Sequence, residues 1–274
     1  MSNHQCPSVS LIRGATMALM LPDPLVEMAL RPWGRPKAGV IVDRTPERVV
    51  ELSPNHPVPG PNSVSLVRCA PDRVEPVIAG VRELAGARGL TCVWLLDAGT
   101  RPADLPERLS ACGIHGQEEL SVMVLPASAD VGPADPGIEV VDALRDAATF
   151  AAAEAVQAAA FGGRRASRQE GRLADGRADP ARHFLLALVG GEPAGAGWAT
   201  VFPEGVLLNG GAVAPRFQGR GVYRALVGAR LALARRAGVA GLATQAKPDT
   251  SAPILARLGF TAVGRTRVFA EAAP

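Results

Sequence analysis

The sequence predicts a mixed α/β (α+β) fold built twice, as two mixed-sheet domains with flanking helices related by tandem duplication. Two observations predict it. Strand-like and helix-like patterns alternate along the chain, and their order repeats: strand, helix stopped by Arg-Gly or Ala-Gly, apolar strand, short helix closed by glycine, strand. Between the copies, Pro126 to Gly137 is rich in Pro, Ala and Gly and reads as a linker, giving domains at 1–130 and 135–274. A chain of 274 residues with 47% hydrophobic side chains can bury two cores of that size.

The first sixty residues are irregular and proline-rich. Leu25 to Leu30 reads as a helical turn or two, ended by Arg31-Pro32. Gly39–Asp43 and Arg48–Leu52 are β-branched runs joined by a short turn, a hairpin pattern, and Ser63–Arg68 alternates as a strand with one wet face. Pro71-Asp72 precedes a helix over about Val74–Ala87, with Val74, Val77, Ile78, Val81 and Leu84 at helical spacing. Leu90–Leu96 is a buried strand, Pro102–Ala111 a helix stopped at Gly113, and Leu120–Leu125 a strand.

The second half opens with a strand at Ile138–Val141. Asp142 is placed to cap an alanine-rich helix reaching Phe161. Arg164 to Pro180 is polar and reads as either a mobile loop or a short polar helix on the substrate side. His183–Val189, Gly195–Phe202 and Gly205–Leu208 are strands, Val222–Ala237 a helix, Val239–Gln245 a buried strand, Ser251–Leu258 a short helix, and Phe260–Val268 the last strand.

The chemistry concentrates in Gly210 to Arg224, where a strand ends, a basic glycine turn follows, and a long helix starts. Such a turn points free backbone N–H groups and the positive end of a helix dipole at one place, an arrangement suited to a phosphate or pyrophosphate. Glycine lets the amides approach phosphate oxygens, and Arg216, Arg220 and Arg224 can add charge-assisted contacts. The matching turn of the first half, Ala70-Pro71-Asp72-Arg73-Val74, has no glycine and places an acid where an anion would sit, so no phosphate is expected there.

Val213 to Val222, with Gln218 and Gly221 in a Gln/Arg-x-x-Gly-x-Gly/Ala pattern, resembles the acyl-CoA motif of the GNAT superfamily of N-acetyltransferases, with Tyr223 at its last small position. Ser251 to Phe260, ending Leu258-Gly259-Phe260, resembles that family's last helix and strand. The resemblance covers about residues 138–270, and in the first half it is one of topology only. It implies acetyl-CoA as co-substrate. Its pyrophosphate would lie on the amides of Gly219, Arg220, Gly221, Val222, Tyr223 and Arg224 beside Gln218, and its pantetheine arm would lie along Ala212, Val213 and Ala214. It further implies direct attack of a small-molecule or peptide amine on the thioester, with a backbone N–H near Val213 holding the carbonyl oxygen and no metal required.

Proton handling finds no candidate of the expected kind. Many members of that family carry a carboxylate on the strand before the motif, yet Val206–Ala214 holds only Asn209 as a polar side chain, and Leu255 stands where a tyrosine is common. Glu204 is either a water-mediated base or a solvated turn residue. Tyr223 reads as packed or ribose-facing, His183 as structural, and Trp198 as core or substrate wall. Three readings follow: an acetyltransferase, a non-catalytic acyl-CoA-binding regulatory or assembly module, and a dinucleotide-binding domain. The last is weakened by the lack of Gly-x-Gly-x-x-Gly and of an acid after the next strand.

Composition bounds the partners. With 29 basic and 26 acidic side chains, net charge +3, no nucleic-acid footprint is expected. Cys6, Cys69, Cys92 and Cys112 have neither metal-ligand spacing nor a histidine cluster, which predicts reduced thiols in a cytoplasmic protein. Met1 to Leu21 lacks the basic start of a signal peptide, and no apolar run reaches the roughly 18 residues of a membrane span.

Overall fold

The computed structural model describes residues 21–57, 60–161 and 169–271; Cys6 and nearly all of Met1–Leu21 lie outside them. In chain order these form α1 (Asp23–Leu30), β1 (Ile41–Arg44), β2 (Val49–Leu52), β3 (Ser63–Ser65), α2 (Val74–Gly86), β4 (Val93–Leu96), α3 (Leu105–Ala111) and β5 (Ile114–Pro126). The second half follows as β6 (Ile138–Asp142), α4 (Ala147–Phe161), α5 (Gln169–Ala178), β7 (Arg182–Val189), β8 (Glu192–Phe202), β9 (Gly205–Val213), α6 (Val222–Arg236), β10 (Gly241–Ala246), α7 (Ser251–Arg257) and β11 (Thr261–Glu271).

All eleven strands join one sheet, in the order β1-β2-β3-β4-β11-β5-β10-β9-β8-β7-β6. The order carries the duplication. β3 and β4 run parallel, as do β9 and β10, and the other neighbours are antiparallel. At the centre the halves exchange their last strands. β5, from the first half, pairs with β10 from Gly241↔Pro126 to Ala246↔Ser121, and β11, from the second, pairs with β4 from Arg267↔Leu96 to Ala270↔Val93. β5 and β11 then pair with each other along almost their whole length.

Strand alternation distributes the helices. Met123 and Leu125 of β5 pack with α6 and α7, while Val122 and Val124 face the other way, against Leu25 and Met28 of α1. Likewise Leu185 and Ala187 of β7 meet α6, whereas Phe184 and Leu186 meet Phe150 and Val156 of α4. Helices α2 and α3 bury Val74, Val77, Ile78, Val81, Leu105 and Leu109 against Val64, Trp94, Leu96 and Phe269 on the α6 side. On the α1 side, the first half presents Val93, Leu95 and Val268 to Trp33, and a cleft opens beside them toward α4 and α5.

Two local expectations change. Asp142 ends β6, pairing with Leu185, and its Oδ1 accepts from the Leu144 N–H; the cap of α4 is Asp146, whose Oδ1 accepts from Thr149 N–H at 2.7 Å. Of the polar stretch 164–180, the described part is mostly a helix, α5, so the short-helix alternative holds there.

Candidate active site

The site starts from an irregularity in β9. Its register with β8 runs Ala196↔Ala212 and then Trp198↔Asn209, so the single residue Gly197 faces both Gly210 and Gly211. Pairing of β9 with β10 ends at Leu208↔Thr244, where the Thr244 hydroxyl donates to the Leu208 carbonyl at 3.2 Å. Beyond it Asn209 and Gly210 are exposed, while Gln245 and Ala246 stay with β5. Val213 and Ala214 remain tied to β8 through Gly195 and the Ala194 carbonyl. The two strands thus part into a slot whose β9 edge is unpaired on the β10 side.

At the wide end lies the glycine turn. Gly219 and Gly221 have φ of 75° and 81°, conformations that disfavour any side chain, and Gly221 is the N-cap of α6. No side chain caps that terminus and no acid lies in the first turn. A Cβ on Gly219 would meet nothing within 4 Å, so the turn is open on that side. Gln218, Gly219, Gly221, Val222, Tyr223 and Arg224 all line the cleft; Val222 is itself buried under the turn. Arg220 and Arg224 flank a recess beside Pro133–Pro136, and Arg220 lies over the Phe217 ring. Arg216 is taken up by Glu192 at 2.7 Å, which removes it from the arginines available to the turn. Ala212 and Val213 line the slot, and Ala214 packs against the α6 side at its end.

The slot opens into a cleft of about 1890 Å³ whose walls come from both halves. From the second half, Trp198 stacks on Phe184 at 4.2 Å, Gln157 Nε2 donates to the Gly210 carbonyl at the bulge, and Glu154 forms a buried ion pair with Arg172. From the first half come Asn55 and His56. Asn55 Nδ2 donates to Asp175 of α5 at 2.9 Å, and the neighbouring Ala38 N–H donates to Asp179 while Arg182 donates to the Ala38 carbonyl. Burial, with the charges of Arg172 and Arg182, pushes the His56 imidazole down to about 4, so it stands neutral at physiological pH.

The proton-handling candidates fare differently. Glu204 is held by Arg35 at 2.8 Å, which keeps its carboxyl below the usual range, and it lies outside the cleft; the solvated-turn reading is the nearer one. His183 does not line the cleft, whereas Trp198 does. Leu255 is buried against the second-half core at the slot's floor. Tyr223 is packed beside Gly211, where an added Cβ would lie 3.4 Å from its hydroxyl. Glu154, Gln157 and His56 were not singled out by the sequence, and Arg172 only as part of the polar stretch 164–180.

The site thus consists of a parted parallel strand pair, a bulge at its apex and a glycine turn feeding a helix. Residues 150–260 match the family model described as Acetyltransferase (GNAT) family. The whole fold is similar to a GCN5-related N-acetyltransferase from Kribbella flavida (16% identity, 86% of this chain and 91% of that one, TM-score 0.62). It is also similar to one from Sphaerobacter thermophilus (18%, 89% and 84%, 0.58) and to a tandem GNAT protein from the clavulanic acid biosynthesis pathway (18%, 92% and 89%, 0.52). No match is found among curated protein sequences.

Proposed function

We propose that the protein transfers an acetyl group from acetyl-CoA to an amine of a small molecule or peptide. The observation that carries this reading is the continuity of the site: an open glycine turn at a helix start, an unpaired strand edge and a two-walled cleft lie end to end. Bound there, acetyl-CoA supplies an activated thioester. Gln218, Gly219, Arg220, Gly221, Val222, Tyr223 and Arg224 would hold the pyrophosphate through amides and charge. The free edge of Ala212, Val213 and Ala214 would bind the arm as a strand binds its neighbour. An N–H near Val213 would face the carbonyl oxygen.

The acceptor amine would enter past Trp198, Asn209 and the first-half residues Asn55 and His56. With no carboxylate on β9 and Leu255 at the slot's floor, these residues offer no strong base, and an amine of low pKa that arrives neutral suits them best. That same poverty supports the second reading, an acyl-CoA-binding module without turnover. Thermal-shift measurements with acetyl-CoA, CoA and NAD(P), followed by thiol release against an amine panel, test both. Stabilisation by acetyl-CoA together with thiol release is expected. Stabilisation without release would favour the binding module, and stabilisation by NAD(P) alone would overturn both.

A further inference from the structure

Arg230 lies in the third turn of α6 and is 1% exposed. Its Nε donates to the Leu226 carbonyl one turn earlier at 2.9 Å. Nη2 is buried and has no hydrogen-bond partner among the described residues. Among the described residues no carboxylate acts on the guanidinium and Tyr223, on the same helix, is the one ionisable side chain that does, while burial pulls Arg230 below the ordinary arginine value. The strands it packs against contribute glycines. A Cβ on Gly197 would stand 3.0 Å from Nη1, and one on Gly211 would stand 3.7 Å from the same atom. The β9 bulge is therefore built over a cation.

An uncompensated buried charge is strongly unfavourable, and an apolar side chain of the same volume would be more stable in its place. Its position gives the physical reason for keeping it: the charge lies behind the backbone where the slot meets the cleft. We propose that Arg230 is a positioning residue whose buried guanidinium, lying behind Gly211 and beside Tyr223, is the countercharge for the CoA thiolate released at the β9 bulge. The inference rests on the acetyl-CoA reading above. In the transfer the amine nitrogen forms the bond to the acetyl carbon, and the carbon–sulfur bond breaks with its electron pair left on sulfur. The amine proton passes to water. With a fixed positive charge behind the bulge, sulfur can leave as thiolate without a proton donor at Leu255.

The test is the ionisation of bound CoA, read from thiolate ultraviolet absorbance against pH after subtracting the CoA-free protein. Calorimetry first establishes that CoA binds. For the wild type, the thiolate fraction at pH 7 is expected to be about ten-fold or more above that of free CoA, the size of effect one nearby charge in a low-dielectric site produces. Arg230→Met should return it to the free value, and Arg230→Lys should fall between. If Arg230→Met does not fold, Gly197→Ala, which displaces the guanidinium by steric contact, should lower the fraction in the same direction. An equal thiolate fraction in the wild type and in a CoA-binding Arg230→Met or Gly197→Ala variant overturns the inference, as does a wild-type fraction equal to that of free CoA. Failure of the wild type to bind CoA at all would instead strike the acetyl-CoA reading on which it stands.

Discussion

Two strand-to-helix turns occupy equivalent places in the sheet, one leading from β3 into α2 and the other from β9 into α6. Each follows a parallel pairing of three residues with the next strand. Beyond that pairing they diverge. After β9 the chain bulges and parts from β10. After β3 the chain is claimed by the protein itself: Arg101 N–H donates to the Val67 carbonyl at 3.0 Å, Cys69 N–H donates back to Arg101 at 3.3 Å, and Arg68 pairs with Asp97 at 2.6 Å. The segment after β4 fills the place that the second half leaves open. The helix start differs as well, since α2 is preceded by a proline turn bearing Asp72, and Arg73 is held by Glu47. A ligand slot in this fold is thus a backbone that is denied its own partner, and the first half has supplied one.

The largest expected effect comes from placing a carboxylate in the open turn. Gly221→Glu should weaken CoA binding by at least about 100-fold, or about 2.7 kcal/mol, by calorimetry. Because Gly221 sits at φ 81°, any side chain there adds roughly 1–2 kcal/mol of strain, so Gly221→Ala serves as the uncharged control and should lose far less affinity. Asp72→Gly, the opposite change in the closed turn, should create no second CoA equivalent, and a stoichiometry above one per chain would break the comparison.

Asp97→Ala should lower unfolding free energy by about 2 kcal/mol in urea titration, because its Oδ1 accepts from both Arg68 and the Gly99 N–H in a half-buried place. CoA affinity should stay unchanged, since that pair replaces a ligand and does not bind one. His56 faces Arg172 and Arg182 across the two halves, and its pH dependence follows from its lowered pKa. Well above 6.5 the imidazole is neutral in both folded and unfolded chains and contributes no slope. As pH falls from 6.5 toward about 4, only the unfolded chain takes up the proton, so stability drops. At pH 5.5 the loss should be about 1 kcal/mol relative to pH 7, and His56→Gln should abolish that component. The smallest effect is expected from Gly171→Ala on α5. The added methyl would stand 2.8 Å from the Asn55 amide carbon, forcing the first-half wall back. Stability should change by less than about 1 kcal/mol, while KM for the acceptor should rise several-fold with KM for acetyl-CoA unaltered.

Much of this site was legible because its signals are local. Gly219 and Gly221 stand two apart in sequence, and the apolar spacing of Val222 and Leu226 marks the helix that Gly221 caps. The acid at Asp72 is equally local. What depended on distant partners was not legible. Asp142 and Asp146 are both plausible caps, and the choice is made by β7, which draws Asp142 into the ladder opposite Leu185. Glu154, Arg172 and His56 meet only when α4, α5 and a first-half loop converge. Arg230 reads in the sequence as one more arginine of a basic helix, and only the two glycines above it mark it as buried.

The exchange of β5 and β11 also sets when the protein can finish folding. A ribosome that has delivered Ile114–Pro126 has made a long central strand whose neighbours, Gly241–Ala246 and Thr261–Glu271, are still unsynthesised. Until Gly241–Ala246 and Thr261–Glu271 emerge, that strand lacks both of its partners in the sheet. The order of the strands therefore makes completion of the first half depend on the second. A nascent chain halted after Pro126 should accordingly be far more protease-sensitive than the same residues in the released protein, because the two strands that flank β5 are made after it.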